Sequence, residues 1–262
     1  MTLSFKHASL MVGWLGASAA LTGCGFDTET PGDLGRASFR YEAECFLDCA
    51  LDQPLAVGAT QRIAVTGDGA EPDVVVLSSD DRVASFTLGA RTCSCTRTTA
   101  QGSEAYGLAD TGQTCDPGYT RECSNRIEVE SHASGDAQLQ LLAASGALID
   151  TVTVHVREAA SIALESYDED RPRAVSRLAG HAGDSLDFRV LLLDEHENPL
   201  FSTGAVELRA EDSAVARVEP SSFGLDWTRG ARFSARFARP GASTLVVSAA
   251  GVAVEVPVTV EE

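Results

Sequence analysis

The C-terminal segment of the chain alternates between two kinds of side chain. The even-numbered positions from 252 to 260 are all valine, whereas the positions between them hold Ala253, Glu255, Pro257 and Thr259. Side chains of a β-strand point alternately to opposite faces, so this pattern predicts a strand with one buried face. Pro257 cannot donate a ladder hydrogen bond, so we expect a sheet edge at that point or a nitrogen that faces solvent.

Short runs rich in β-branched residues precede this strand at intervals bounded by turn residues. Together with residues 252–260, we predict seven strands in the C-terminal half of the chain, near residues 161–164, 186–193, 206–210, 215–218, 231–237 and 244–248. Many short strands at such spacing are typical of a β-sandwich rather than of a helical fold.

The N-terminal half repeats the motifs of the C-terminal half. The step Asp80-x-x-Val83-Ala84 matches Asp212-x-x-Val215-Ala216, and both halves close on Val-Thr-Val, at residues 152–154 and 258–260. A further match joins Ala144-Ser145-Gly146 to Ala249-Ala250-Gly251. The chain therefore contains two copies of one unit.

These motifs together resemble those of bacterial immunoglobulin-like (Ig-like) domains. The segment Ser79-Asp80-Asp81-Arg82-Val83-Ala84 is similar to a strand step common in that family. The passage from Gly183-Asp184-Ser185 to Asp194-Glu195-His196-Glu197-Asn198-Pro199 resembles the invasin-type repeats, with Glu197 where those repeats usually carry glycine. The resemblance implies an all-β fold of two tandem Ig-like β-sandwich domains, which serve mainly as spacers and binding modules.

The first copy carries an insertion. Asp80 and Gly135 are 55 positions apart, whereas Asp212 and the matching Gly241 are 29 apart. We therefore expect domain 1 over residues 37–158, with a cysteine-rich insertion at about 91–125, and domain 2 over residues 159–262. Loops on a rigid scaffold often carry binding functions, so the insertion is a candidate recognition element, although a variable surface decoration is an equal alternative.

Six cysteines follow Cys24 in the chain. If the chain is exported, as its first residues indicate, an even number of cysteines predicts three disulfides. As one hypothesis, Cys115 pairs with Cys123, and Cys45 and Cys49 pair with Cys93 and Cys95. A structural zinc site is the competing interpretation, but these cysteines do not form the paired C-x2-C knuckles of zinc ribbons.

The first 23 residues have the features of a lipoprotein signal peptide. Lys6 and His7 precede an apolar stretch, residues 8–21, which is too short to span a bilayer as a stable helix. The stretch ends in Leu21-Thr22-Gly23-Cys24, which resembles the lipobox of bacterial lipoproteins. That resemblance implies cleavage before Cys24 and lipid on its sulfur, and Gly25 in place of aspartate favours the outer membrane. Residues 24–36 are polar and rich in Pro and Gly, so we predict a flexible tether.

The charge of the mature chain makes some classes of binding partner unlikely. Lys6 is the only lysine, so the mature chain carries 19 arginines against 38 acidic residues, a formal charge of −19. Such a surface repels nucleic acid and anionic lipid heads, so the lipid on Cys24 must supply membrane attachment. A cell-envelope or extracellular protein or glycan remains as the expected partner.

The catalytic and metal-binding motifs that the sequence resembles are incomplete and do not favour an enzyme. Gly183-Asp184-Ser185-Leu186 spells a serine-esterase signature, but here Ser185 opens a predicted strand and no Asp-x-x-His follows. The four mature histidines, His132, His155, His181 and His196, lack the spacing of metal ligands, and the acidic clusters near Asp80, Asp168 and Asp194 follow no calcium-loop pattern. We predict no catalytic residue, metal or cofactor.

The sequence leaves three functional hypotheses. The first is a non-enzymatic envelope lipoprotein that binds a protein or glycan through loops or the cysteine-rich insertion. The second is a structural or assembly component of an envelope complex. The third, which the motifs favour least, is an envelope serine hydrolase built around Ser185.

Overall fold

The computed structural model describes residues 29–42, 50–99, 102–108, 112–168, 171–201, 206–220 and 231–262. Over these ranges the chain forms β-strands and one short 3-10 helix, without any α-helix. The strands build two β-sandwiches that follow one another along the chain. The predicted fold class, two tandem Ig-like sandwiches with a disulfide-rich insertion in the first, is therefore confirmed.

Domain 1 contains two sheets and the 3-10 helix Asp68–Ala70. Its strands are β1 (Thr30–Pro31), β2 (Ala37–Tyr41), β3 (Leu55–Ala56), β4 (Thr60–Gly67), β5 (Val75–Ser78), β6 (Ala84–Thr99), β7 (Gly102–Gly107), β8 (Thr120–Ser131), β9 (Gly135–Leu142) and β10 (Leu148–Arg157). Sheet A has the order β1-β2-β4-β8-β6-β7, and sheet B has the order β3-β10-β9-β5. Alternate side chains of both sheets, including Phe39, Ile63, Ile127 and Leu139, fill the space between them.

Domain 2 repeats this arrangement. Its strands are β11 (Ser161–Asp168), β12 (Arg171–Ala174), β13 (Leu178–His181), β14 (Ser185–Leu193), β15 (Pro199–Leu200), β16 (Glu207–Ala210), β17 (Ala216–Pro220), β18 (Ala231–Phe237), β19 (Gly241–Ala249) and β20 (Val252–Glu261). Sheet C has the order β12-β11-β14-β18-β17, with β15 beside β14, and sheet D has the order β13-β20-β19-β16.

All seven strands predicted for the C-terminal half are present. Strand β20 buries Val256, Val258 and Val260 and exposes the residues between them, as its alternation predicts. It pairs with β19 along its length, whereas its pairing with β13 begins only at Val258. Pro257 thus precedes that second ladder, as expected for a residue without an N–H. The short strands β12, β13 and β15 were missed because they are too short to show a period.

The internal repeat is also a repeat of geometry. In each domain the N–H of a valine donates to the carbonyl of the aspartate three residues earlier, at 3.0 Å in domain 1 and 3.1 Å in domain 2. The valine packs against a glycine with φ of 153° or 152°. A Cβ on that glycine would lie 2.9 or 3.1 Å from the valine methyl, so only glycine fits without displacement. The two sets are Asp80, Val83, Gly135 and Asp212, Val215, Gly241.

The turn between β14 and β15 contains Glu197, the residue that stands where invasin-type repeats usually carry glycine. The Oδ1 of Asp194 accepts hydrogen bonds from the N–H groups of His196 and Asn198, each at 2.8 Å. Glu197 then adopts φ of 64°, a conformation that glycine adopts at little cost. Glu197 therefore adopts, in this turn, a backbone conformation in which glycine is the usual residue.

The segment before β2 corrects the predicted tether. Strand β1 pairs with β2, and the N–H groups of Leu34, Arg36 and Ala37 each donate to the carboxylate of Asp150 at 2.8 Å. The prediction of a flexible tether over residues 24–36 is therefore wrong for residues 30–36. A buried acceptor 113 or more positions away holds this segment, and no local sequence signal shows it.

At the junction, each domain contributes a side chain to the core of the other. The ring of Phe201, which follows β15 of domain 2, is buried in the core of domain 1 and stacks on Tyr41 with 4.7 Å between ring centroids. Ala56 of domain 1 is buried in the core of domain 2. The N–H of Phe201 donates to the carbonyl of Pro54 at 2.7 Å, and its carbonyl accepts from the N–H of Ala56 at 2.9 Å. The junction therefore couples the two domains.

Candidate functional site

The predicted insertion forms a long hairpin that continues sheet A beyond the sandwich. Strands β6 and β8 pair across the core as far as Leu88 and Ile127, pass an irregularity, and pair again from Arg91 and Asn125 to Thr96 and Thr120. Strand β7 adds a third strand beside the outer part of β6. In the described residues, the corresponding strands of domain 2, β17 and β18, span five and seven residues. We call residues 91–99, 102–108 and 112–125 the disulfide arm.

Two disulfides cross-link the arm. Cys93 and Cys123 face each other in the β6–β8 ladder and are bonded, and Cys95 is bonded to Cys115 of the loop before β8. The hypothesis that Cys115 pairs with Cys123 is therefore wrong, as is the pairing of Cys93 and Cys95 with the N-terminal cysteines. The hairpin register places Cys123 directly opposite Cys93, which the spacing of cysteines does not reveal. Cys24, Cys45 and Cys49 lie outside the described residues.

A cluster of polar and aromatic side chains covers one side of the arm. The Arg97 guanidinium donates to Glu104 Oε2 at 2.6 Å and lies 4.6 Å from the ring centre of Tyr119. The Tyr119 hydroxyl also donates to Glu104 Oε2, at 2.9 Å. Tyr106 meets Tyr119 edge to face at 5.2 Å, and its hydroxyl accepts from the N–H of Asp116 at 3.0 Å.

These contacts shift the protonation equilibria of the cluster. Hydrogen bonds from Tyr119 and Arg97 hold the pKa of Glu104 below its usual value. The same hydrogen bond to Glu104 raises the pKa of Tyr119, so at neutral pH the cluster holds a carboxylate, a phenol and a guanidinium. Ion pairs this exposed add little stability. Their effect is to fix the direction in which the two tyrosine rings and Arg97 present their surfaces.

A groove lies where the arm leaves the sandwich. The buried amide of Asn125 donates to the carbonyls of Gly69 and Glu71, at 2.7 and 2.9 Å, and fastens the arm to the 3-10 helix. Beside it, a groove of about 760 Å³ is lined by residues of β4, the segment after the 3-10 helix, and the arm, including Arg91, Arg121 and Glu122. Mixed charges and hydrogen-bond donors in this groove suit a polar ligand group.

The arm extends from the end of domain 1 at which β2 begins. Ala37, at the start of β2, pairs with Gly67, and β4 in turn brings Val65 opposite Asn125 at the base of the arm. Domain 2 begins after the opposite end of β10, where Val156 and Arg157 pair with β3. The arm and domain 2 therefore lie at opposite ends of domain 1, an arrangement that the sequence did not indicate.

The remaining predicted motifs occupy ordinary positions. Ser185 is exposed and opens β14 opposite Arg236, as expected for a strand rather than for a helix that presents a nucleophile. The carboxylate of Asp80 pairs with Arg82 at 2.8 Å. In the described parts of the chain, no group of three or more His, Cys, Asp or Glu side chains is placed to hold a metal ion. The same residues include no helix long and apolar enough to cross a membrane.

Comparison with known proteins found distant structural matches only. No family model matches the chain, and no curated protein matches it. Domains 4 and 5 of the S-layer protein SbsC are 21% identical over 51% of this chain and 69% of theirs, with a TM-score of 0.28. The C-terminal domain of the Streptococcus agalactiae AgI/II polypeptide BspA is 7% identical over 84% of this chain and 99% of its own, with a TM-score of 0.32.

A β-glycosidase from Bacteroides vulgatus is also similar in structure. It is 12% identical over 78% of this chain and 23% of its own length, with a TM-score of 0.31. Similarity at this level carries no conclusion about this chain.

Proposed function

We propose that this protein is a bacterial envelope lipoprotein, held on the outer membrane by lipid on Cys24, that displays two Ig-like domains and binds a protein or glycan without enzymatic activity. The observation that carries the proposed binding role is the disulfide arm. Among the described residues it is a large departure of domain 1 from the repeated unit, and two disulfides hold it in place.

The chemistry of the arm suits recognition of a macromolecule. Tyrosine and arginine dominate the energetics of many protein interfaces. Tyrosine offers a large contact area with few rotatable bonds, and arginine offers a planar group with several hydrogen-bond donors. Here Arg97 and Glu104 hold Tyr119, and Tyr106 packs against it, so little order must be acquired on binding. Flat tyrosine faces also stack on sugar rings, so the same cluster suits a protein or a glycan.

The anchor rests on the sequence Leu21-Thr22-Gly23-Cys24 and the leader before it. Multiple acyl chains give stable attachment where one chain gives only marginal binding. Intact mass spectrometry of the protein from its native membrane tests this assignment. We expect removal of residues 1–23, acyl additions on Cys24, and a mass six hydrogens below that of the reduced chain. An unmodified Cys24 in the mature protein would contradict the anchor.

Photo-crosslinking in the native envelope tests the binding role. A photoreactive phenylalanine analogue in place of Tyr106 places the reactive group on the exposed side of the arm, and the same analogue in place of Arg209 places it on an exposed position of domain 2. We expect one discrete adduct from position 106 and none from position 209, read by mass spectrometry of the purified adduct.

A disulfide variant sharpens that experiment. Cys95→Ser together with Cys115→Ser releases the loop before β8 while leaving the Cys93–Cys123 bond and the sandwich core in place. We expect the yield of the position-106 adduct to fall by about fivefold or more, because the released arm must be ordered again on binding. An adduct from position 209 alone would overturn the assignment and favour an assembly role through domain 2.

A further inference from the structure

A row of apolar side chains is exposed on the outer face of sheet B. Val75 of β5 pairs with Leu142 of β9, which pairs in turn with Leu148 of β10, so the three side chains form one line across three strands. Leu77, two positions along β5, widens the line. Val75, Leu77 and Leu148 are 45%, 46% and 42% exposed. We call these four residues the apolar row.

Domain 2 provides an internal comparison. The positions that correspond to Val75 and Leu77 through the repeat hold Glu207 and Arg209, at the same distances before the shared aspartate. In sheet D, Glu207 pairs with Ser248, which pairs with Ala253, where domain 1 has Leu142 and Leu148. All six large apolar side chains that are exposed in the described residues belong to domain 1. The fold therefore does not require an apolar row at this place.

The row lies at the end of domain 1 at which β2 begins. Leu34, which is 52% exposed, donates its N–H to Asp150, two positions after Leu148, and the N–H of Asp33 donates to the carbonyl of Thr151 at 2.8 Å. Cys24 precedes Glu29 by only five residues. An extended chain spans at most about 3.6 Å per residue, so these five residues reach about 18 Å.

We infer that the apolar row, with Leu34, is a membrane contact that rests on the headgroup and upper acyl region of the bilayer. The inference rests on the proposed lipid at Cys24, since the short connection would hold the row close to the lipid surface at a high effective concentration. Exposed leucine and valine gain free energy at the boundary between headgroups and acyl chains. The charge of the mature chain repels anionic lipids, so the contact is apolar and suits zwitterionic lipid.

Depth-dependent fluorescence quenching tests the contact in the lipidated protein. The mature chain has Trp227 as its single tryptophan, so Trp227→Phe gives a silent background. Leu148→Trp then reports on the row, and Ala253→Trp is the matched control at the corresponding position of domain 2. Both proteins are reconstituted into phosphatidylcholine vesicles with bromine on the upper acyl carbons. We expect quenching in the Leu148→Trp protein to exceed that in the control by at least about twofold.

A second variant replaces two residues of the row with the residues at the matching positions of domain 2. Val75→Glu with Leu77→Arg should bring quenching of the Leu148→Trp reporter down to the level of the control. Equal quenching at both reporter positions overturns the inference. A dimer in sedimentation equilibrium that dissociates on these two substitutions, without quenching by lipid, also overturns it and assigns the row to a contact between copies.

The proposed lipid anchor and the proposed membrane contact can be tested independently of each other. If the native protein carries no lipid on Cys24, a maleimide phospholipid coupled to that thiol restores the tether, and the same quenching comparison still decides whether the row meets the bilayer. If the lipid is present and the two reporters are quenched equally, the lipoprotein proposal stands and the contact is wrong.

Discussion

Replacing Phe201 by alanine is expected to lower the free energy of unfolding of domain 1 by about 3–5 kcal/mol, the usual cost of removing a buried aromatic ring. The ring is only 8% exposed and stacks on Tyr41, although Phe201 belongs to domain 2 by chain order. Its loss leaves a cavity in domain 1 beside the phenol of Tyr41. Burial, followed by the charge of Asp52, already raises the pKa of that phenol. The effect therefore appears in the neighbouring domain.

The same substitution should uncouple the two domains. Differential scanning calorimetry of the parent protein should show one cooperative transition, because Phe201 and Ala56 each belong to the core of the other domain. The Phe201→Ala protein should show two transitions, with domain 1 unfolding first. Phe86→Ala is the control, because Phe86 packs only partly against the same core and is not a residue of domain 2, so it should cost less and keep one transition. An unchanged single transition in Phe201→Ala would contradict the coupling.

Removing the carboxylate of Asp150 is expected to have an effect of similar size. The side chain is fully buried and accepts hydrogen bonds from the N–H groups of Leu34, Arg36, Ala37 and Thr151. Asp150→Ala leaves these donors without their acceptor, at roughly 1–3 kcal/mol for each buried one. We expect a loss of about 3–5 kcal/mol in urea unfolding at pH 7, because water reaches some of the donors. Asp187→Asn, at an exposed position, should change little.

The contribution of Asp150 should depend on pH in a defined direction. Burial alone raises the pKa of this carboxyl, but the four N–H groups outweigh it and the pKa in the folded protein lies below its usual value. Stabilisation from such a group is fully present above the pKa of the unfolded chain, about 3.9, and is lost as the pH falls through the folded pKa. The stability difference between the parent and Asp150→Asn should therefore shrink below about pH 4. A difference that stays constant to pH 2 would show that the charge does not matter.

The sequence predicted much of the architecture because β-strands carry a local signal. Alternation in residues 252–260 followed from the two faces of a strand, and the Asp-x-x-Val step marked a turn that recurs with the same hydrogen bond in both domains. The insertion could be located because it interrupts a repeat. These features depend on neighbouring residues, or on comparing one half of the chain with the other.

The predictions that were wrong concern contacts that local sequence patterns do not record. The pairing of Cys93 with Cys123 depends on the register of two strands, and a shift of that register would bring another residue opposite Cys93. The Pro and Gly residues of segment 30–36 predict a linker. The carboxylate of Asp150, far along the chain, nevertheless accepts hydrogen bonds from the backbone of this segment. Leu34, Val75 and Leu148 gave no signal in the sequence, since their exposure depends on which face the sheets cover.

The sequence by itself determined an all-β chain of two related Ig-like units, with an interrupting segment in the first, because the period of two and the turn motifs are local. The tertiary structure alone decided which cysteines meet in the arm, that Phe201 completes the core of the other domain, and that the arm and the apolar row lie at the end of domain 1 opposite domain 2. These depend on contacts between residues distant in the chain, which strand pairing and sheet packing create and local patterns do not record.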